Sequence, residues 1–194
     1  MARYQAQRTK IDYPMGSVSY ATMRPEDLIP AFTSELEYRA KHDKHVAFKT
    51  RKAHLKLVQE IESRTRFDAY STEDELSAGL DYYQSEDADD DLSSLFDALD
   101  AYSAPYFYFG SHPGDGSDYG YWLSESWDED FSTDELPDDK HAIDTADVPD
   151  AIKVSDLSEV PSWFRGEVAV ISDHGNVTLY VKTSRATREI WSVV

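Results

Sequence analysis

The chain contains no cysteine. Disulfides, thiolate metal centres and cysteine nucleophiles are therefore excluded. No apolar run approaches the ~20 residues that a membrane-spanning helix needs. The opening MARYQAQRTK also lacks the apolar stretch of a secretory leader, so a soluble, cytoplasmic protein with no membrane partner is expected. The common catalytic signatures are missing too: there is no GxSxG, no HExxH and no Walker loop. Positive charge is scarcest in the middle of the chain, where residues 67 to 160 hold only 2 Lys+Arg.

Against that scarcity stand 27 Asp+Glu in the same stretch, for a net −25. Residues 1 to 66 carry +5 and residues 161 to 194 carry +1, so the middle block more than accounts for the whole-chain −19. An asymmetry this large points to a cationic partner. A solvated face that only keeps the protein soluble is the plainer explanation, and it stays open. At 194 residues with 40% hydrophobics, the chain can bury a real core within a single domain, 1–194.

The hydrophobic pattern predicts helices first. Thr22 is placed to cap a helix opening at Pro25, with Leu28, Phe32 and Leu36 as its apolar stripe and Pro30 as an awkward interior residue. KHDKHVAFKTRKAHLKLVQEIESR reads as a second helix with Leu55, Val58 and Ile61 inside and Lys49, Arg51, Lys52 and Lys56 outside. Thr72 and Glu75 have capping-box spacing ahead of Leu76, Leu80 and Tyr83. The run EDADDD then interrupts, its last aspartates capping a helix with Leu92, Leu95, Phe96 and Leu99 buried.

After Pro105 the period changes to two, which predicts strands through Tyr106–Phe109, Tyr119–Leu123, the pair EVAVIS and NVTLYV, and IWSVV. The fold class expected is α+β: a mainly helical part (1–104), then an antiparallel sheet of about five strands (105–194), with a long acidic loop at about 125–160.

The stretch YFYFGSHPGDGSDYGYW poses a chemical question. Its glycines are spaced GxGxxxG between two strands, so no helix N-terminus follows to receive a phosphate. His112, Asp115 and Asp118, with His174 from the later turn, are candidate ligands of a metal-dependent enzyme. The spacing does not match a calcium loop. The expectation is a hairpin connection without metal, no cofactor and no catalytic residue. His42, His45 and His54 lie in a basic helical region and are read as surface or satisfied core residues.

TMRPEDLIPAF, YFYFGSHPGDGSDYGYW and SDHGNVTLYV with the trailing IWSVV resemble segments of small acidic bacteriophage-encoded proteins of unknown function. The resemblance implies life in the cytoplasm of a bacterial host. It raises the expectation of an inhibitor that occupies the basic nucleic-acid-binding surface of a host protein and does not itself bind nucleic acid. Duplex DNA presents one charge per ~1.7 Å of axis, so a −25 block could imitate about a dozen base pairs. The positive N-terminal segment departs from a pure mimic. The residues expected to carry the contact are Glu86, Asp87, Asp89, Asp90 and Asp91, then Asp128, Glu129, Asp130, Asp134, Glu135, Asp138 and Asp139. Two rivals stay open: a phage accessory or assembly module whose acidity is only solubilising, and the small metal-dependent enzyme.

Overall fold

The computed structural model describes residues 11–65 and 81–193. The fold is mixed α+β, and its contacts gather into two compact units, one spanning Tyr13–Ser124 and the other built on the residues from Glu125 onward. The division falls at 124/125, not at 104/105, because the aromatic hairpin packs with the helices.

In the first unit, β1 (Gly16–Ser19) precedes α1 (Pro25–His42), α2 (Phe48–Thr65) and α3 (Glu86–Asp100). The hairpin β2 (Phe107–His112) and β3 (Asp115–Leu123) completes a three-stranded sheet in the order β1-β3-β2. The spacing-four stripe of α1 is realised, with Leu28, Phe32 and Leu36 at most 1% exposed. Complete burial of such side chains stabilises by ~1.5–3 kcal/mol each. Phe32 is the hub: its ring meets Phe96, Phe109 and Tyr119 edge-on at 5.2, 5.0 and 5.9 Å. Val58 and Ile61 of α2 and Leu95 and Leu99 of α3 close the same core.

Several expectations are corrected here. Thr22 does not cap α1; Arg24 holds that position, while the Thr22 hydroxyl donates to Asp27 Oδ2 at 2.7 Å. α1 runs through Pro30 without ending: the proline is exposed, and the Glu26 carbonyl that it leaves without an i+4 donor belongs to the open side of the helix. α2 starts at Phe48, so Lys44 to Ala47 are a connection. The EDADDD run does not interrupt: it forms the opening turns of α3 itself, where the positive end of the macrodipole favours acids. The helix expected from Thr72, Glu75, Leu76 and Leu80 lies outside the described residues.

The second unit holds a four-stranded sheet in the order β4-β5-β6-β7, with β4 (Ala151–Val154), β5 (Gly166–Ile171), β6 (Val177–Lys182) and β7 (Thr187–Val193). The described strands therefore form two sheets, not one of about five strands, and β4 lies parallel to β5. The expected EVAVIS/NVTLYV hairpin is present, with Gly175 at φ +82° supplying the left-handed turn residue. Its inner row is Val177, Leu179 and Val181, at 7%, 0% and 8% exposure, so the apolar alternation sets the register. Between Ser124 and Ala151 the chain is irregular apart from a 3₁₀ turn at Lys140–Ala142 and the bridge of Ser132 to Ile152, but the acidic loop expected to reach about 160 is cut short by β4.

Candidate interaction surface

Helical phase decides which acids of α3 reach solvent. Ala88, Leu95, Ala98 and Leu99 point into the core, Leu95 seven residues after Ala88, and Ala98 and Leu99 three and four after Leu95. Glu86, Asp87, Asp89, Asp90, Asp97 and Asp100 are exposed, and α3 contains no basic residue. At 100° per residue, Glu86, Asp89, Asp90, Asp97 and Asp100 fall on one outward stripe. With Asp87, six carboxylates span ~21 Å of axis at 1.5 Å rise per residue, four of them within the first ~6 Å.

Structural duties explain some of these acids. The first-turn acids answer the macrodipole. Asp100 accepts from the Phe109 backbone N–H at 2.9 Å and from the Ser103 hydroxyl at 3.3 Å. Asp97 has no such reason: it lies near the negative end of the helix, where another anion is unfavourable. Sequence reasoning did not include Asp97 or Asp100. Counting the apolar stripe forward from Ala88 would have exposed both.

Asp91 behaves differently from its neighbours. Three residues after Ala88 and four before Leu95, it falls on the inward face and is only 7% exposed. A carboxylate there must be paired. The Tyr82 hydroxyl donates to Asp91 Oδ2 at 2.7 Å, and Arg64 Nη1 approaches the same oxygen at 3.0 Å. Burial and this hydrogen bond both push the Tyr82 hydroxyl pKa up. Asp91 is thus a structural anion and is removed from the contact set expected from the sequence.

In the 128–139 stretch, Glu129, Asp130, Asp134, Glu135, Asp138 and Asp139 are exposed. Asp128 is half-buried and bound by Lys153 Nζ at 2.9 Å. Asp139 Oδ1 accepts from the His141 N–H at 3.0 Å and so caps the 3₁₀ turn. The stretch is tied down by Trp163 Nε1, which donates to the Pro137 carbonyl at 2.9 Å, and by Ser132, bonded to the backbone of Ala151 and Lys153.

Among the described residues, the basic helix does not absorb the acidic surplus. Lys56 pairs with Glu60 in its own helix at 2.7 Å, and Arg51 donates to the carbonyls of Val46 and Ala40. Among the described residues, Arg64–Asp91 is the ion pair that joins α2 to α3.

The 111–119 stretch is a tight hairpin whose strands reach His112 and Asp115, leaving Pro113 and Gly114 as the turn. His112 Nδ1 accepts from the Gly114 N–H at 3.0 Å, and the ring meets Trp122 edge-on at 4.6 Å. Asp115 Oδ1 accepts from the Ser117 N–H and hydroxyl at 3.0 and 2.8 Å, bonds that lower its pKa. Asp118 Oδ2 accepts from Ser17 Oγ at 3.0 Å. Each side chain is engaged within its own sheet, and among the described residues no three His, Asp or Glu side chains gather as a metal site.

No family model, curated protein or solved structure matches the chain. No helix among the described residues is long and apolar enough to cross a membrane.

Of the early histidines, His42 is exposed, whereas His45 and His54 are half-buried. His54 Nδ1 lies 2.9 Å from the Tyr102 hydroxyl. Burial pushes both half-buried imidazoles down in pKa and the Tyr102 hydroxyl up to about 12.

Proposed function

We propose that this chain is a non-catalytic binding protein whose carboxylate surface docks on the cationic nucleic-acid-binding groove of another protein. The observation that carries this reading is the outward stripe of α3: acids at helical spacing, without a base to neutralise them. With Asp87 its mean axial interval is ~4.2 Å, of the same order as the ~3.4 Å between phosphates along one strand of a duplex. A groove lined with Lys and Arg gains affinity by exchanging counterions for phosphates, and a rigid row of carboxylates offers the same exchange. Glu129, Asp130, Asp134, Glu135, Asp138 and Asp139 add a second exposed acidic stretch in the other unit. The resemblance to phage proteins supplies the setting, a bacterial cytoplasm, and the class of target, a host protein that handles DNA or RNA.

The test has two stages. Capture from bacterial lysate with mass spectrometry identifies a target. The purified pair is then titrated over a range of salt, with duplex DNA as competitor. A steep fall of affinity with salt and displacement by DNA are expected. Replacing Glu86, Asp89, Asp90 and Asp97 by Gln and Asn keeps shape and removes charge. Unchanged affinity and unchanged salt slope in that variant defeat the proposal and leave acidity as a device for solubility.

A further inference from the structure

α2 and α3 lie side by side and run in opposite directions. His54 Nδ1 meets the Tyr102 hydroxyl at 2.9 Å towards one end, and Arg64 Nη1 meets Asp91 Oδ2 at 3.0 Å towards the other. The first turns of the two helices therefore stand at opposite ends of the pair, roughly 20 Å apart at 1.5 Å rise per residue. Those turns carry opposite charge. α3 opens with Glu86, Asp87, Asp89 and Asp90, all exposed. α2 has no acid in its first turn and opens on Lys49, Arg51 and Lys52.

The two lysines have no structural duty. Arg51 is held by the Val46 and Ala40 carbonyls, whereas Lys49 and Lys52 are exposed and make no ion pair among the described residues. A cation at a helix start opposes the macrodipole, so α2 is not stabilised by either. Phe48, the first residue of α2, is 74% exposed beside them, and aromatic residues are enriched where proteins meet. Helical phase brings both charged sets to one face. His54 and Arg64 mark the flank of α2 that borders α3, and at 100° per residue Lys49 and Lys56 fall on the solvent side of that flank. Asp91 marks the bordering flank of α3, and Asp87 and Asp90 fall on its solvent side. The shared face is thus positive at one end and negative at the other. A second copy turned end for end sets the lysine end of each against the acid end of the other, twice. Such a face is self-complementary and closes as a two-fold pair.

We propose that the chain pairs with a second copy of itself through this α2/α3 face. The net charge of −19 on each copy opposes pairing. At ~0.15 M salt, charges farther apart than ~8 Å are largely screened while touching Lys and Asp side chains still attract, so the local pattern decides. The pairing does not rest on the groove-docking reading and needs no other protein, but it covers the same acids of α3. A paired copy is closed to a cationic target, and self-association sets how much of the protein is free to bind one.

The test is sedimentation equilibrium of the full chain at ~0.15 M salt, with the amide shifts of the ¹⁵N-labelled chain followed on dilution. A reversible monomer–dimer equilibrium is expected, with concentration-dependent shifts at both Lys49–Lys52 and Asp87–Asp90. Lys49→Glu combined with Lys52→Glu should weaken pairing by at least about tenfold. Its melting temperature should equal or exceed that of the parent, because acids suit a helix start, which separates loss of pairing from loss of fold. Asp87→Lys combined with Asp90→Lys should weaken pairing likewise. Mixed in equal amounts, the two variants should form a heterodimer, since one now has two acidic ends and the other two basic ends. The proposal is overturned if the parent stays monomeric up to ~1 mM chain. It is equally overturned if the lysine variant pairs as well as the parent, or if the two variants, each folded by circular dichroism, do not pair with each other. Shifts at Lys49 and Lys52 that follow added oligothymidylate but not dilution would assign that end to a nucleic acid and also defeat it.

Discussion

α3 and the stretch from Asp128 to Asp139 are both densely acidic, and they hold their charge in different ways. On α3 a regular backbone spaces the outward carboxylates, and the helix turns one of the run, Asp91, into the core. In the irregular stretch the chain uses its own acids as ties: Asp128 holds Lys153, and Asp139 caps a turn. Charge count alone does not separate the two. The lattice on which the charge is mounted does, and only the helix offers a fixed spacing to a partner.

The sharpest break of that comparison is within α3 itself. Asp91→Ala should cost about 3 kcal/mol, the low end for breaking a buried pair because Arg64 is 40% exposed. Asp90→Ala should stay within about 0.5 kcal/mol. Urea unfolding of the two variants decides; equal losses would mean that helical phase does not sort these acids.

Next in size is the effect on association. The α3 set Glu86, Asp89, Asp90 and Asp97 and the loop set Glu129, Asp130, Asp134 and Glu135 remove equal charge when neutralised. The α3 set should slow association with a captured target by about tenfold at low salt, and the loop set by clearly less. Stopped-flow rates at two ionic strengths test the ranking. Equal slowing would show that field, not spacing, is what the partner reads.

A smaller effect separates the helical unit by pH. The folded-state pKa values of His45 and His54 are depressed by burial, so the unfolded chain binds more protons as pH drops below the ordinary imidazole value of 6.5. The stability they contribute is present above that value and lost as pH falls through their folded pKa values. Thermal unfolding at pH 7.5 and 5.5 should show the loss, and His54→Gln should reduce it. At the alkaline end, Tyr102, pushed up to about 12 from 10.0, contributes stability that is lost as pH rises from 10 through 12. The smallest effect is Lys153→Ala, about 1 kcal/mol for a half-buried pair with a single contact. It should still speed hydrogen exchange at the Lys153 N–H, which bonds to the Ser132 carbonyl at 2.8 Å.

Much of this was legible in the sequence where one period ran unbroken. Leu28, Phe32 and Leu36, and Val177, Leu179 and Val181, announced their buried faces because a one-sided apolar row has only one way to be satisfied. What stayed hidden depended on distant partners. β1 is four residues without alternation and exists because β3 offers it Tyr121 and Gly120 as neighbours. β4 is a strand because β5 and Ser132 flank it. At the surface, acidity was plain, yet the inward turn of Asp91 required the helix through EDADDD to be recognised first.

The pairing of β1 has a consequence in time. Gly120 sits where an added Cβ would come within 2.1 Å of the Gly16 carbonyl oxygen, so the two strands close tightly or not at all. The Ser17–Asp118 bond that accompanies this closure spans 101 residues. At ~5–20 residues per second on the ribosome, β1 waits about 5–20 s before its partner strand has been made. α1, α2 and α3 emerge over that interval while the first strand stays unpaired. This sheet is therefore completed only after the helices between its strands have been made, and a chaperone or a slowed ribosome acting in those seconds would reach β1 before β3 does.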